Sequence, residues 1–295
     1  MTFFIYLLLP INAFRKKMKK LNLVLLALLF TTVAFAQKRE KIKGSKVVTV
    51  ASREVQPFDI LEVEDNIEIY LVKGETQSLE IETDDNLHDV IKADISGSTL
   101  RIYTSKEITG AKQITVRLTY TPSLKLITAK HESVLYAIKD LELDNITIKN
   151  LDFSKSMLNV KAKHFSLSMN DKTKAELNVK SDSTAIDLSK NAEIKALIAS
   201  PSVKIDLYQK TTAVIEGDAT LATIGVDNNA VYNGKKFTAK TLDFTAESYT
   251  KSSIMVSETL NISASGKAIV DVYGTPTAIA LKKFAQSAVI SKKEL

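Results

Sequence analysis

The chain has 295 residues and a formal net charge of +6, from 40 basic and 34 acidic side chains. Five of the basic residues (Arg15, Lys16, Lys17, Lys19 and Lys20) and no acidic one lie within residues 1–36, so the remainder carries only +1 and has no field to collect nucleic acid or an anionic membrane. The absence of cysteine excludes disulfides, thiolate metal sites, a cysteine nucleophile and lipid attachment through an N-terminal cysteine.

Lys19-Lys20 precede an apolar run from Leu21 to Phe30, and Ala34-Phe35-Ala36 supplies the small residues of a cleavage site. This order predicts a secretory signal peptide over residues 1–36, cut after Ala36, since the run is shorter than the ~20 apolar residues that span a bilayer. The apolar patch Thr2 to Phe14 has no basic residues before it, which predicts translation from Met18. Gln37 to Lys46 is charged and aperiodic and reads as a mobile lead-in.

Residues 47–123 alternate as strands. Ile67, Ile69 and Leu71 face one way and Glu68 and Tyr70 the other; Leu79-Glu80-Ile81-Glu82, Leu100-Arg101-Ile102-Tyr103 and Ile114 to Leu118 continue the pattern. Gly97-Ser98 reads as a hairpin turn, so part of this segment is expected to be antiparallel, and Asn86 to Ile91 has room for one helical turn. Pro122 marks the passage to repeats that begin just after it.

From Leu124 a phrase of about 20 residues recurs, a small residue opening an alternating strand, as in Ser133 to Ala137, Ser156 to Val160, Ala175 to Val179, Ala192 to Ala196, Ala213 to Gly217, Ser253 to Val256 and Ala268 to Val272. Ala175, Leu177 and Val179 point inward and Glu176, Asn178 and Lys180 outward; Val203, Ile205 and Leu207 repeat the arrangement. Asp227-Asn228-Asn229 and Asn233-Gly234 read as tight corners. The expected fold is all-β: a mostly parallel, right-handed β-solenoid over residues 124–290, continuous with 47–123, which forms a partly antiparallel N-terminal β cap. The segment from Lys282 to Lys293 is expected to cover the other end.

Candidate chemical residues are scattered. His88, His131 and His164 have no partner at ligand spacing and read as surface or turn histidines rather than metal ligands or bases. Asp84-Asp85, and Asp182 with Asp187, lack the glycine-containing loop that gathers calcium oxygens. Lys204, Asp206, Glu216 and Asp271 are the outward residues that a polysaccharide-active β-helix would use, and Tyr208, Tyr232, Tyr249 and Tyr273 would form a sugar-stacking strip if they shared a face. No catalytic, cofactor-binding or metal residue is assigned.

Phe58 to Leu71, Gln77 to Ile81, Asp84-Asp85-Asn86-Leu87 with Ile91, Gly97 with Leu100-Arg101-Ile102, Pro122-Ser123-Leu124-Lys125 and Val272-Tyr273-Gly274-Thr275-Pro276 follow one another in the order and spacing of a known family. The chain resembles the head GIN domain family, described as "putative autotransporter adhesins". Two departures, at Glu64-Asp65 and at Lys130-His131-Glu132-Ser133, fall on turns where a shared ligand site would otherwise be carried over. The resemblance implies an exported, mostly parallel β-solenoid with no established enzymatic activity.

The reading that follows is an exported, non-enzymatic β-solenoid acting through its surface as an adhesin or envelope scaffold, in the periplasm, at the outer-membrane surface or outside the cell. The alternative is a carbohydrate-binding or polysaccharide-active β-helix. The partner is then a surface, a glycan or a protein and not nucleic acid; no transmembrane anchor is left after cleavage, and a homo-oligomer through an open edge is a third reading.

Overall fold

The computed structural model describes residues 39–294, so the signal peptide expected over 1–36, its cleavage after Ala36 and the start at Met18 lie outside the described residues. Strands occupy 68% of it. The first nine are β1 (Lys41–Lys43), β2 (Val48–Glu54), β3 (Ile60–Val63), β4 (Glu68–Lys73), β5 (Ser78–Asp84), β6 (Ile91–Ser96), β7 (Thr99–Thr104), β8 (Glu107–Thr109) and β9 (Ile114–Tyr120). Then come β10 (Leu126–Ala129), β11 (Val134–Asn150), β12 (Lys155–Met169), β13 (Lys174–Leu188), β14 (Glu193–Ala199), β15 (Ser202–Leu207) and β16 (Thr212–Val226). The last are β17 (Val231–Ala246), β18 (Lys251–Ala264), β19 (Ile269–Tyr273), β20 (Ala278–Phe284) and β21 (Val289–Lys292).

Most of these strands stack in parallel as a β-solenoid of about 9 turns. One wall runs β9, β4, the first halves of β11 to β13, β14, the first halves of β16 to β18, then β19 and β21. The second wall runs β7, β3, β10, the second halves of β11 to β13, β15, the second halves of β16 to β18, then β20. Long strands such as β13 bend from one wall into the other, and along them buried and exposed residues alternate. Ala175, Leu177 and Val179 are buried and Glu176, Asn178 and Lys180 exposed, as the pattern predicts; Val203, Ile205 and Leu207 are buried too.

Five successive turns close at a corner of two successive residues with positive φ, beginning at Asp152, Asp171, Lys190, Gln209 and Asn228, at intervals of 19 residues. The left-handed region costs a non-glycine residue ~1 kcal/mol or more, and cross-turn hydrogen bonds offset it. The second corner residue donates its N–H to the carbonyl of the next turn's first: Phe153 to Asp171, Lys172 to Lys190, Asn191 to Gln209 and Lys210 to Asn228, each at 3.0 Å. The following residue is small and buried along this column, at Ser154, Thr173, Ala192, Thr211 and Ala230 and again at Thr250. The hydroxyls of Ser154, Thr173, Thr211 and Thr250 have no hydrogen-bond partner, and alanine serves equally at 192 and 230, so size rather than hydrogen bonding selects these residues.

Several expectations are corrected. The stack does not begin after Pro122: β3 and β4 already pair in register with β10 and β11, and Asp65-Asn66 is a corner of the same kind, its Asn66 N–H donating to His131 O at 2.9 Å. The insertion of β5 to β9 separates that turn from the rest along the sequence and hides its period. Asn233-Gly234 is not a corner but lies inside β17, where the Tyr232 ring occupies the space above Gly234; a Cβ there would come within 2.5 Å of it. The helical turn is a 3-10 turn at Asp85–Leu87. The lead-in ends before Ile42, whose carbonyl accepts the Thr109 hydroxyl; the Gly44 N–H donates to Thr109 O, and the Lys46 N–H donates to the buried Asp84 carboxylate.

The hairpin at Gly97-Ser98 is present, with Ser96 opposite Thr99 and Gly97 at φ +60. At the N-terminal end β6 lies antiparallel to β7, and β5 antiparallel to β9 and β2. At the far end residues 278–292 form a last turn of the stack rather than a lid, because β20 and β21 pair in parallel with the strands beneath them.

Candidate functional site

A groove crosses the first wall where β4, β9 and β11 meet. Between Ala137 and Leu141 the register of β11 against β12 slips, because the intervening residues bulge out of the ladder. Lys139 and Asp140 of that bulge, together with Tyr70, Lys73 and Arg117, line a depression of about 870 Å³. Tyr70 and Tyr136 are directly opposite in the β4–β11 pair, so their rings stack with centroids 4.6 Å apart and planes at 13°. Arg117 and Met157 are their in-register neighbours, which places the tyrosine pair in an outward column along the stack.

The groove continues past Lys73 into a second depression of about 490 Å³ lined by Glu142, Lys161, Lys163 and Asp182. Lys73 Nζ lies 2.7 Å from Glu142, which is also 3.7 Å from Lys161, and Lys163 lies 2.9 Å from Asp144. Lys73 holds the Glu142 carboxyl below its ordinary range, and Glu142 raises Lys73 in return. The buried Tyr120 hydroxyl accepts the Glu142 N–H at 3.0 Å, and burial pushes the Tyr120 phenol up. The result is a groove with a rigid aromatic pair and alternating charges, suited to binding a polar surface.

The residues singled out in the sequence do not gather there, apart from Asp182. His88 meets Thr49, His164 meets Ser183, and His131 sits at a corner 3.8 Å from Glu64 and Asp65 and 3.7 Å from Asp152. Asp84 is a clamp: its carboxylate accepts the N–H groups of Lys46 and Lys112 at 2.8 and 3.0 Å. Burial opposes its ionisation, yet these backbone donors and that of Gln113 hold its pKa below the usual range. Asp187 and Asp206 come together, in register on the second wall, with Lys204 3.0 Å from Asp206. Burial and then the Asp206 charge raise the Asp187 carboxyl, though Asp187 stands on the outer face. Glu216 pairs with Lys236 and Asp271 with Lys293, both on the first wall and apart from that dyad.

The tyrosine strip does not form. Tyr232 is 2% exposed inside the core, against Phe244, while Tyr208 and Tyr249 are exposed and Tyr273 lies under Lys235. The groove residues Tyr70, Tyr136, Lys73 and Glu142 were missed. Outward-facing tyrosines in alternating strands were the available signal, but bringing positions 70 and 136 together requires the register across the inserted strands.

One further charged cluster surrounds a buried carboxylate. Glu64, 5% exposed in its side chain, accepts two hydrogen bonds from Arg101 at 3.1 Å and one from Lys130 at 3.4 Å. Burial opposes its ionisation, but Arg101 and then Lys130 hold its carboxyl below the usual range. Among the described residues no group of three or more histidine and acidic side chains is placed to hold a metal ion, and no helix is long and apolar enough to cross a membrane.

The family model described as "Putative auto-transporter adhesin, head GIN domain" matches residues 57–276. No curated protein matches the chain. Among solved structures, a "putative adhesin" from Parabacteroides distasonis superposes with TM-score 0.65 at 12% identity, over 87% of this chain and 100% of that one. A "putative lipid binding protein" from the same species gives 0.63 at 16% identity, over 86% and 100%, and a "putative adhesin" from Parabacteroides merdae gives 0.57 at 16%, over 87% and 99%. At these identities the likeness is one of fold.

Proposed function

The chain belongs to the head GIN domain family, and from that premise we propose that it is exported and acts through its surface, as an adhesin or envelope scaffold without chemistry of its own. The observation that carries the reading is the groove of Tyr70, Tyr136, Lys73, Arg117 and the 138–140 bulge, where a break in the regular ladder borders a concave surface with a stacked aromatic pair. Export rests on the signal sequence ending at Ala36 and on the family's description. The absence of catalysis rests on the dispersal of Glu216, Asp271 and the Asp187–Asp206 dyad, each explained by its own ion pair or by in-register stacking.

The stacked tyrosines favour a glycan as the second reading of the same groove, since aromatic faces flanked by charged hydrogen-bonding groups suit sugars. The test is binding of the protein from Gln37 onward to an immobilised glycan panel and to isolated bacterial envelopes, beside a Lys139→Glu, Tyr136→Ala double variant. Binding to either that the double variant loses supports a surface role, and the panel distinguishes glycan from protein. Retention of wild-type protein on neither, or equal retention of the variant, overturns the reading.

A further inference from the structure

The last turn of the stack differs from every turn beneath it. β20 pairs only with β18 and β21 only with β19, so among the described residues both strands turn a free edge outward. Ile279, Leu281 and Phe284 continue the inward columns of Leu260, Ile262 and Ala264, yet they are 63%, 54% and 55% exposed. With Val272 and Ile290 they border an apolar cavity of about 300 Å³. The column that runs inward through Ile254 and Val272 ends on Lys292, which lines the same cavity. Lys283 and Lys293 are paired with Glu247 and Asp271, whereas Lys282 and Lys292 have no carboxylate partner among the described residues.

We propose that this end is a docking edge for an extended segment of a partner protein, which lies on β21 as a further turn would. The segment places an apolar residue over Ile290 and an aspartate or glutamate two positions on, over Lys292. A strand satisfies the free N–H and C=O groups of the edge and covers the apolar side chains together. A lipid surface does not, because hydrocarbon leaves backbone groups of a sheet edge unpaired. A second copy of this chain is disfavoured as well: it would bring Lys282 and Lys292 against their own kind, and a charge pointing inward at a sheet edge is a barrier to self-pairing. Lys292 thus selects the occupant, since only a strand that brings a carboxylate neutralises it.

The probes are two fluorescent nine-residue peptides of alternating valine and threonine, one with a central glutamate in place of a valine and the other with lysine there, titrated by anisotropy. The glutamate peptide is expected to bind wild-type protein about tenfold tighter than the lysine peptide, and Lys292→Glu to invert the order. Equal affinity of the two peptides, or binding of neither, overturns the proposal, and the wild-type comparison decides it even if the variant does not fold. Wild-type protein is expected to elute as a monomer and Lys292→Val to self-associate; dimers of the wild type through this end would overturn it too.

Discussion

Val179→Asp tests the interior of the walls. Val179 is fully buried, between Val160 of the turn below and Ile198 of the turn above, with side chains stacked at the spacing of paired strands. Replacing it forfeits the burial of a valine side chain, about 2 kcal/mol, and places a carboxylate among hydrocarbons. Such a group either costs several kcal/mol or is driven to its neutral form, at a further cost at neutral pH. The total is on the order of 5 kcal/mol, and with about 2–4 °C per kcal/mol for a domain of this size the melting temperature should fall by more than about 10 °C. Asn178→Asp changes an exposed residue in register with Asn159 and Leu197 and should move the midpoint by a degree or two, as surface changes within about 0.5 kcal/mol do. The assay is thermal unfolding followed by circular dichroism at 218 nm (roughly the strand minimum) on the two variants side by side. Equal shifts would refute the assignment of faces on which the whole stack rests.

Two other predictions follow from the N-terminal end. Glu64→Gln should cost about 2 kcal/mol at pH 7, because the bidentate charged hydrogen bonds from Arg101 are lost inside the fold. Since the folded-state pKa of Glu64 is lowered, the wild-type advantage is full above the ordinary carboxylate pKa of ~4.3 and vanishes as pH falls through the lower folded value; melting curves of both proteins from neutral pH into the acid range should converge there. A fragment of residues 123–295 removes the turns built by β3 with β4 and β7 with β9, uncovering Ile127 and Leu135, and should aggregate in size-exclusion chromatography; a monodisperse, cooperatively melting fragment would make residues 47–122 a separate domain.

The sequence made the repeating part legible because the interior demands one strict rule, alternation with a small residue after each corner, and Ala175, Leu177 and Val179 obey it without exception. The corner at Asn228-Asn229 was legible for the same kind of reason, since asparagine tolerates the left-handed backbone. Corners such as Gln209-Lys210 and Lys190-Asn191 were not, because cross-turn hydrogen bonds stabilise a conformation that the side chains themselves hardly favour. The turn at Asp65-Asn66 was hidden by the strands inserted after it, and the groove by the same insertion, for Tyr70 and Tyr136 become neighbours only once that turn is placed. Tyr232 read as a surface aromatic because its phenol is polar; the glycine two residues later, whose missing side chain makes room for the ring, was the overlooked clue.

The corner column from Asp152 to Asn228 has a consequence for how such a molecule can change length. Each corner bonds to the corner of the next turn, and the small residue after it accepts a backbone N–H from the next turn as well (Lys174 to Ser154, Glu193 to Thr173, Thr212 to Ala192), so the contacts run from one layer to its neighbour and duplication or loss of one 19-residue unit in this stretch leaves every remaining ladder in phase. A gene encoding it can therefore lengthen or shorten the rod by recombination between neighbouring units while the groove at one end and the free edge at the other are carried along intact. The distance between those two surfaces is then a heritable variable, set by copy number rather than by substitution.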